Sequence, residues 1–104
     1  MRRVRFEVKT PIGFTVRTTD EYWERIVTEK HRNMRDREAD VKKALGDPDI
    51  VRQSVADPNV VLFYRFHEIN WTIAVVRRQN EEGFLITCYV TAAIKKGTEI
   101  WKRK

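Results

Sequence analysis

The chain has 104 residues, which suits one domain with one hydrophobic core and is too short for two. Hydrophobic residues make up 41% of it and charged residues 35%, with three Trp, three Tyr and five Phe, so the composition excludes intrinsic disorder. No apolar run approaches the roughly 20 residues needed to cross a bilayer, and we expect a cytoplasmic protein without membrane contact.

The sequence contains few metal-ligating residues. The single cysteine, Cys88, cannot form an internal disulfide, and the two histidines, His31 and His67, have no zinc-like spacing. We therefore expect neither a structural metal nor a cofactor.

The net charge of +6 is concentrated at the two ends of the chain. Residues 1–9 carry four cationic side chains against one carboxylate, Glu7, and residues 92–104 carry five against one carboxylate, Glu99. If both ends converge on one surface, they form a basic pole suited to nucleic acid. The alternative is that basic termini only aid solubility.

The first elements in chain order are a hairpin and a helix. Apolar residues alternate with polar ones at Val4, Phe6, Val8, Ile12, Phe14 and Val16, which predicts a hairpin with one solvated face. Thr18 and Glu21 have the spacing of a capping box, and the following apolar residues recur at helical spacing. Helix one is predicted from about Thr19 to about Lys30.

A second helix and a short helical turn are predicted next. Asp36 is a plausible N-cap for a helix that ends at Gly46. Asp47 and Pro48 then have the pattern of an N-cap and a first helical position, so Ile50 and Val51 are predicted to lie in a further helical turn.

Three runs rich in β-branched and aromatic residues follow, at 60–67, 71–78 and 83–91, with short polar connections between them. Short connections imply antiparallel neighbours. The predicted fold class is therefore α+β, with an N-terminal hairpin and two to three helices followed by an antiparallel meander packed on the helices. Within a single domain, the predicted parts are a hairpin at 1–18, a helical part at 19–56 and a sheet with a basic tail at 57–104.

The last strand carries a row of hydroxyl groups. Alternation places Cys88 on the core face and Thr87, Tyr89 and Thr91 on the other face. Such a row is often only the solvated side of an antiparallel sheet. Lys95 and Lys96 follow shortly afterwards, and cations beside hydroxyls make a reasonable phosphate site.

His31 lies near the end of helix one, on its apolar side. Its pKa near neutrality suits a group that takes and returns a proton. A satisfied core histidine or a cation at the helix C-terminus is an equally good interpretation. Among the arginines, most of which only solvate a surface, Arg65 is predicted to share a strand face with Phe63 and His67.

The order of several short motifs resembles the small prokaryotic and phage-associated nuclease domains grouped with barnase, EndoU, colicin and RelE-type nucleases. The resemblance covers roughly residues 22–101, and the motifs are Lys30-His31, Pro48-Asp49-Ile50-Val51, Ser54, Asp57, Tyr64, Val75-Val76, Phe84 to Tyr89 and Ile94 to Gly97. Two positions depart from the family pattern: Cys88 replaces an alanine, and Arg32 stands where a proline often follows the histidine.

The resemblance implies a metal-independent, toxin-like endoribonuclease. It assigns His31 as general acid or base, Thr87 and Tyr89 to hold the phosphate, and Lys95 or Arg65 to neutralise charge. The expected RNA-binding residues are cationic: Arg32, Arg35, Arg65, Arg77, Lys96 and Lys102. RNA is the expected partner, together with an acidic antitoxin or immunity-type protein.

Two other functions are compatible with the sequence. The domain could bind nucleic acid, or act as an adaptor, without catalysis. Its basic surface could also dock an acidic protein partner, which is compatible with the ribonuclease interpretation.

Overall fold

Seven strands form one mixed sheet in the computed structural model, which describes residues 3–94 and 97–104. The order across the sheet is β1-β2-β6-β5-β4-β3-β7, and β2 and β6 are parallel while the other neighbours are antiparallel. The strands are β1 (Val4–Lys9), β2 (Thr15–Thr19), β3 (Ile50–Ser54), β4 (Val60–His67), β5 (Asn70–Gln79), β6 (Glu82–Thr91) and β7 (Gly97–Lys102).

The predicted fold class, helices followed by an antiparallel meander, is wrong. The segment predicted as a helical turn at Ile50 and Val51 is strand β3, and the basic tail contains strand β7. Val51 is fully buried and is paired with Phe63 on one side and Trp101 on the other. Burial of this β-branched side chain between two aromatic neighbours outweighs the local helix-start signal of Asp47-Pro48. The predicted helical part at 19–56 therefore contributes a strand to the sheet.

The helices are short. Helix α1 (Asp20–Arg25) continues as a π-helical turn (Ile26–Lys30), a 3-10 turn (Arg32–Met34) follows, and helix α2 spans Glu38–Gly46. The N-cap of α1 is Thr19, whose hydroxyl accepts a hydrogen bond from the Tyr22 amide at 3.1 Å, so the predicted Thr18 cap is one residue too early. In the described ranges, no helix is long and apolar enough to cross a membrane.

The main core lies between the helices and one face of the sheet, which we call the helix face. We call α1 and the π-helical turn together the first helical segment. The helices bury six residues there: Trp23, Ile26 and Val27 from the first helical segment, and Val41, Ala44 and Leu45 from α2. They pack against side chains from the sheet: Phe6, Val16, Val51, Val61, Phe63, Ala74, Val76, Leu85 and Cys88. Burial of these apolar groups is the main stabilising contribution to the fold.

The opposite face of the sheet, which we call the open face, has a smaller core of its own. Leu62, Tyr64 and Ile73 are buried there, and Tyr89 and Ile94 are among the partly buried residues that pack against them. Tyr64 and Ile73 have no exposed surface although no helix contributes to this cluster. Neighbouring side chains of the sheet and Ile94, from the connection after β6, therefore cover this cluster.

The connection between β6 and β7 shows that the sheet is not flat. The two strands run in the same direction, and five residues separate Thr91 from Gly97. Six Cα–Cα steps reach at most about 22 Å. In a flat sheet, Thr91 and Gly97 would be four strand spacings apart across the sheet and about six residues apart along the strands. Together these displacements amount to about 28 Å. The sheet is therefore not flat, and its twist and curvature bring the end of β6 and the start of β7 within reach of each other.

The two basic segments lie at the two ends of the strand order, with five strands between β1 and β7. Arg5 pairs with Asp20 and Glu38, and Arg103 pairs with Asp47 and Asp49. Carboxylates of the central part of the chain thus neutralise much of the terminal positive charge. Both terminal strands nevertheless lie near Gly46 and Asp47, because a Cβ on Gly46 would lie 3.1 Å from Val8 Cγ1 and Arg103 pairs with Asp47.

Gly83 offers a stability test of the β2–β6 junction. A Cβ at this position would lie 2.6 Å from Phe14 Cε2 and 2.8 Å from Val76 Cγ1, so Gly83→Ala forces buried groups apart. We expect a loss of about 2 kcal/mol of unfolding free energy in urea denaturation. The comparison variant is Gly13→Ala, which has open space but a φ of 93° and should lose about 1 kcal/mol. An equal or smaller loss for Gly83→Ala would contradict the packing described.

Candidate functional site

One edge of β6 is only partly covered by a strand. β2 pairs with β6 at Glu82, Gly83 and Phe84, and beyond Phe84 no described strand pairs with this edge. The Ile86 carbonyl oxygen there accepts hydrogen bonds from the Tyr22 hydroxyl at 2.8 Å and from Lys30 Nζ at 3.3 Å. Side chains of the first helical segment thus occupy the position that a neighbouring strand would take.

The π-helical turn determines where His31 lies. The His31 amide donates to the Ile26 carbonyl at 2.8 Å, which closes this wider turn, and the chain then leaves the helix. The imidazole lies over the ring of Tyr89, with 5.1 Å between the ring centroids and 35° between the planes. π-helical turns occur frequently at functional sites.

His31, Tyr89 and Thr87 form the candidate site. Thr87 and Tyr89 are opposite Val75 and Ile73 of β5 and share the open face with them. His31 reaches this face around the uncovered edge of β6. The structure thus brings together three of the four residues that the sequence suggested as catalytic; the fourth, Lys95, lies outside the described residues.

The environment of His31 favours its neutral form. The pKa of this imidazole is lowered, first by partial burial, which disfavours the charged form, and second by the positive charge of the adjacent Lys30. A neutral imidazole has a nitrogen lone pair that can accept a proton. At neutral pH, His31 is therefore suited to the role of a general base.

Thr87 has an unusual hydroxyl group. Its Oγ1 atom is buried and has no hydrogen-bond partner among the described residues. A buried hydroxyl without a partner costs free energy. Thr87 is two residues before Tyr89 on the same strand face, so this hydroxyl is a candidate for binding a ligand at the cluster.

Lys30 and Tyr22 belong to the same cluster, and the sequence analysis did not select them as site residues. Lys30 Nζ donates to the Tyr22 hydroxyl at 3.2 Å and lies 5.3 Å from the centroid of the Tyr22 ring. The spacing of eight residues places both on one side of a helix. The sequence contained no signal that this side faces the edge of β6.

Most of the suggested RNA-binding arginines lie in ion pairs away from this cluster. Arg65 is on the helix face and binds Asp47, and Arg77 binds Asp57. Arg35 pairs with Glu24, and the Arg32 side chain donates to the Thr28 carbonyl. Lys102 is exposed on β7, and Lys96 lies outside the described residues. Of the described arginines in this set, Arg35, Arg65 and Arg77 are thus paired with carboxylates.

No protein-family model, curated protein or solved structure matches this chain. The chemistry of the cluster must therefore be argued from its own residues. In residues 3–94 and 97–104, no group of three or more His, Cys, Asp or Glu side chains is placed to hold a metal ion.

The buried hydroxyl of Thr87 can be tested by stability measurements. Thr87→Val keeps the shape and removes a hydroxyl that lacks a described partner, so we expect unfolding free energy to stay constant or rise by up to about 1 kcal/mol. The matched control is Thr10→Val, because the buried Thr10 hydroxyl donates to the Phe14 carbonyl at 2.7 Å. That variant should lose about 1 kcal/mol. Equal losses in urea unfolding would show that Thr87 is a structural hydroxyl.

Proposed function

We propose that this protein is a cytoplasmic, metal-independent endoribonuclease of the toxin-like kind that its sequence resembles. The observation that supports this best is the contact of His31 with Tyr89 beside the buried hydroxyl of Thr87. A proton acceptor contacts one hydroxyl-bearing side chain there, and a second one shares the same strand face. Cleavage of RNA requires these groups, because the substrate carries its own nucleophile in the 2′-hydroxyl.

The proposed reaction is an internal transesterification. Neutral His31 takes the proton of the 2′-hydroxyl, and the 2′-oxygen forms a bond to phosphorus. The bond from phosphorus to O5′ breaks, and O5′ takes a proton from water. The products are a 2′,3′-cyclic phosphate and a 5′-hydroxyl, after which His31 returns its proton to solvent.

The other residues stabilise the negative phosphate in this proposal. The hydroxyls of Thr87 and Tyr89 donate hydrogen bonds to the non-bridging oxygens, whose charge rises in the transition state. Lys30, next to His31 in the chain, supplies a cation whose charge acts on His31, and the resemblance adds Lys95. The net charge of +6 favours approach of a polyanion, either RNA or an acidic antitoxin-type protein.

A cleavage assay tests the proposal directly. RNA of mixed sequence and, separately, DNA of the same sequences are incubated with the protein in excess chelator. The chemical nature of the product ends is then identified. We expect RNA alone to be cut to 2′,3′-cyclic ends. His31→Ala should lower the rate by about 10²- to 10⁴-fold, because general base catalysis is lost.

The control variant is His67→Ala. His67 is exposed at the end of β4, with Glu68 3.7 Å away, and takes no part in the cluster. It should cut RNA at the native rate. RNA that is bound but left intact by the native protein would contradict catalysis and favour a nucleic-acid-binding adaptor. Indifference to RNA would favour a module that docks an acidic protein.

The pH dependence of cleavage should follow the titration of His31. Only the neutral imidazole accepts a proton, so kcat/KM should fall as the pH drops through its lowered pKa, below the ordinary value of 6.5. Lys30→Met removes the neighbouring charge and should move the acid limb and the His31 titration toward higher pH. Burial remains, so the pKa should not pass its ordinary value. NMR titration of the imidazole checks the assignment, and an unchanged titration in Lys30→Met would contradict it.

A further inference from the structure

A cavity lies beside the candidate site. It has a volume of about 490 Å³ and opens to solvent at the turn between β5 and β6. Its walls include Phe84 and Ile86 from β6 and Gln79 and Asn80 from the turn. Ile86 belongs to both places, because its carbonyl accepts the hydrogen bonds from Tyr22 and Lys30. The cavity and the His31 cluster are thus neighbours along one strand.

An aromatic contact continues from the cavity into the cluster. Phe84 lines the cavity, and its ring packs edge to face against Tyr22 at 5.0 Å between centroids. Tyr22 in turn accepts a hydrogen bond from Lys30. A flat ring stacked on Phe84 would therefore lie next to the part of β6 that carries the hydroxyls of Thr87 and Tyr89.

The polar groups of the cavity are suited to an uncharged ligand. Arg17 pairs with Glu7 at 3.1 Å and Glu82 at 3.2 Å, and Arg77 pairs with Asp57 at 3.0 Å. Both cations are thus paired with carboxylates, which reduces their attraction for a phosphate group. The side-chain amides of Gln79 and Asn80 supply both hydrogen-bond donors and acceptors.

Arg17 also carries a donor that is not used. Its Nε atom is buried and has no hydrogen-bond partner among the described residues, although the terminal nitrogen of the same side chain forms ion pairs. A buried N–H group without a partner costs free energy until an acceptor reaches it. A ligand that stacks on Phe84 and presents ring nitrogens or carbonyl oxygens would supply that acceptor.

We propose that this cavity, lined by Arg17, Gln79, Asn80, Glu82 and Phe84, is a subsite for one heterocyclic base of a single-stranded RNA. The assignment rests on the proposed ribonuclease function. The base stacks on Phe84, and its polar edge meets Arg17 and the amides of the turn. The sugar-phosphate next to this base then lies toward His31, so the subsite positions the chain for cleavage.

Binding of neutral nucleosides tests the subsite without requiring catalysis. Adenosine, guanosine, cytidine and uridine are titrated separately into the native protein, and amide chemical shifts are followed by NMR. At least one nucleoside should shift the amides of Gln79, Asn80, Gly83 and Phe84. Ribose 5-phosphate should leave them unchanged, and equal shifts with this probe would reveal a phosphate site and overturn the proposal.

Two variants identify the contacts. Phe84→Leu keeps an apolar side chain against Tyr22 but removes the aromatic face, and it should weaken nucleoside binding five-fold or more. Arg17→Lys keeps a cation beside Glu7 and Glu82 but removes Nε, and it should also weaken binding. Arg3→Lys is the control, because Arg3 is exposed and pairs with Asp20 outside the cavity.

Failure of the subsite and failure of the nuclease give different results. Nucleoside shifts in the cavity without RNA cleavage would leave the subsite standing and remove the catalytic role of His31. Cleavage that depends on His31 but is unchanged in Phe84→Leu and Arg17→Lys, with no nucleoside shifts, would overturn the subsite alone.

Discussion

The arrangement of the candidate site depends on how β6 is paired. One edge of this ten-residue strand is paired with β5 along its length, whereas β2 covers the other edge at only three residues. Backbone groups at a sheet edge need partners. Tyr22 and Lys30 satisfy the Ile86 carbonyl, and this anchors the first helical segment beside the strand. If β2 covered the edge of β6 beyond Phe84 as well, a strand would separate His31 from Tyr89.

The position of His31 at this edge combines two requirements that usually conflict. Partial burial against Tyr89 keeps the imidazole neutral, whereas exposure at the edge leaves it accessible to a large substrate. A histidine fully inside the core would lack access, and a fully solvated one would titrate at its ordinary pKa. The two-residue period of β6 contributes by placing the side chains of Thr87 and Tyr89 on the same face.

The sequence predicted the elements that have strong local signals. The segments 60–67, 71–78 and 83–91 lie within β4, β5 and β6, and helix one ends at Lys30 as expected. It failed for β3 and β7, two short strands that pair with each other although more than 40 residues separate them in the chain. Ile50-Val51 after Asp47-Pro48 has the local pattern of a helix start, and only the pairing of Val51 with Phe63 and Trp101 decides otherwise. The parallel pairing of β2 with β6 also has no signature in either segment.

For the site, too, the sequence predicted what depends on local pattern and missed what depends on contacts between distant segments. Alternation along β6 correctly placed Thr87 and Tyr89 on one face and Cys88 on the other, because a strand has a period of two. The proximity of His31 came from the family resemblance, since no local pattern reports which strand a helix end contacts. The ion pairs of Arg65 with Asp47 and of Arg77 with Asp57 join distant segments, so the sequence could not show that these cations are already neutralised.

The thiol of Cys88 can report how often the hydrophobic core becomes exposed to solvent. The thiol is buried on the helix face, and burial raises its pKa to about 12. Thiol reagents attack the thiolate, so this group is protected twice in the folded state, by inaccessibility and by protonation. Because the sequence has one cysteine, any labelling comes from molecules in which the helices have separated from the sheet. The labelling rate of the unmodified chain therefore measures how often the hydrophobic core opens.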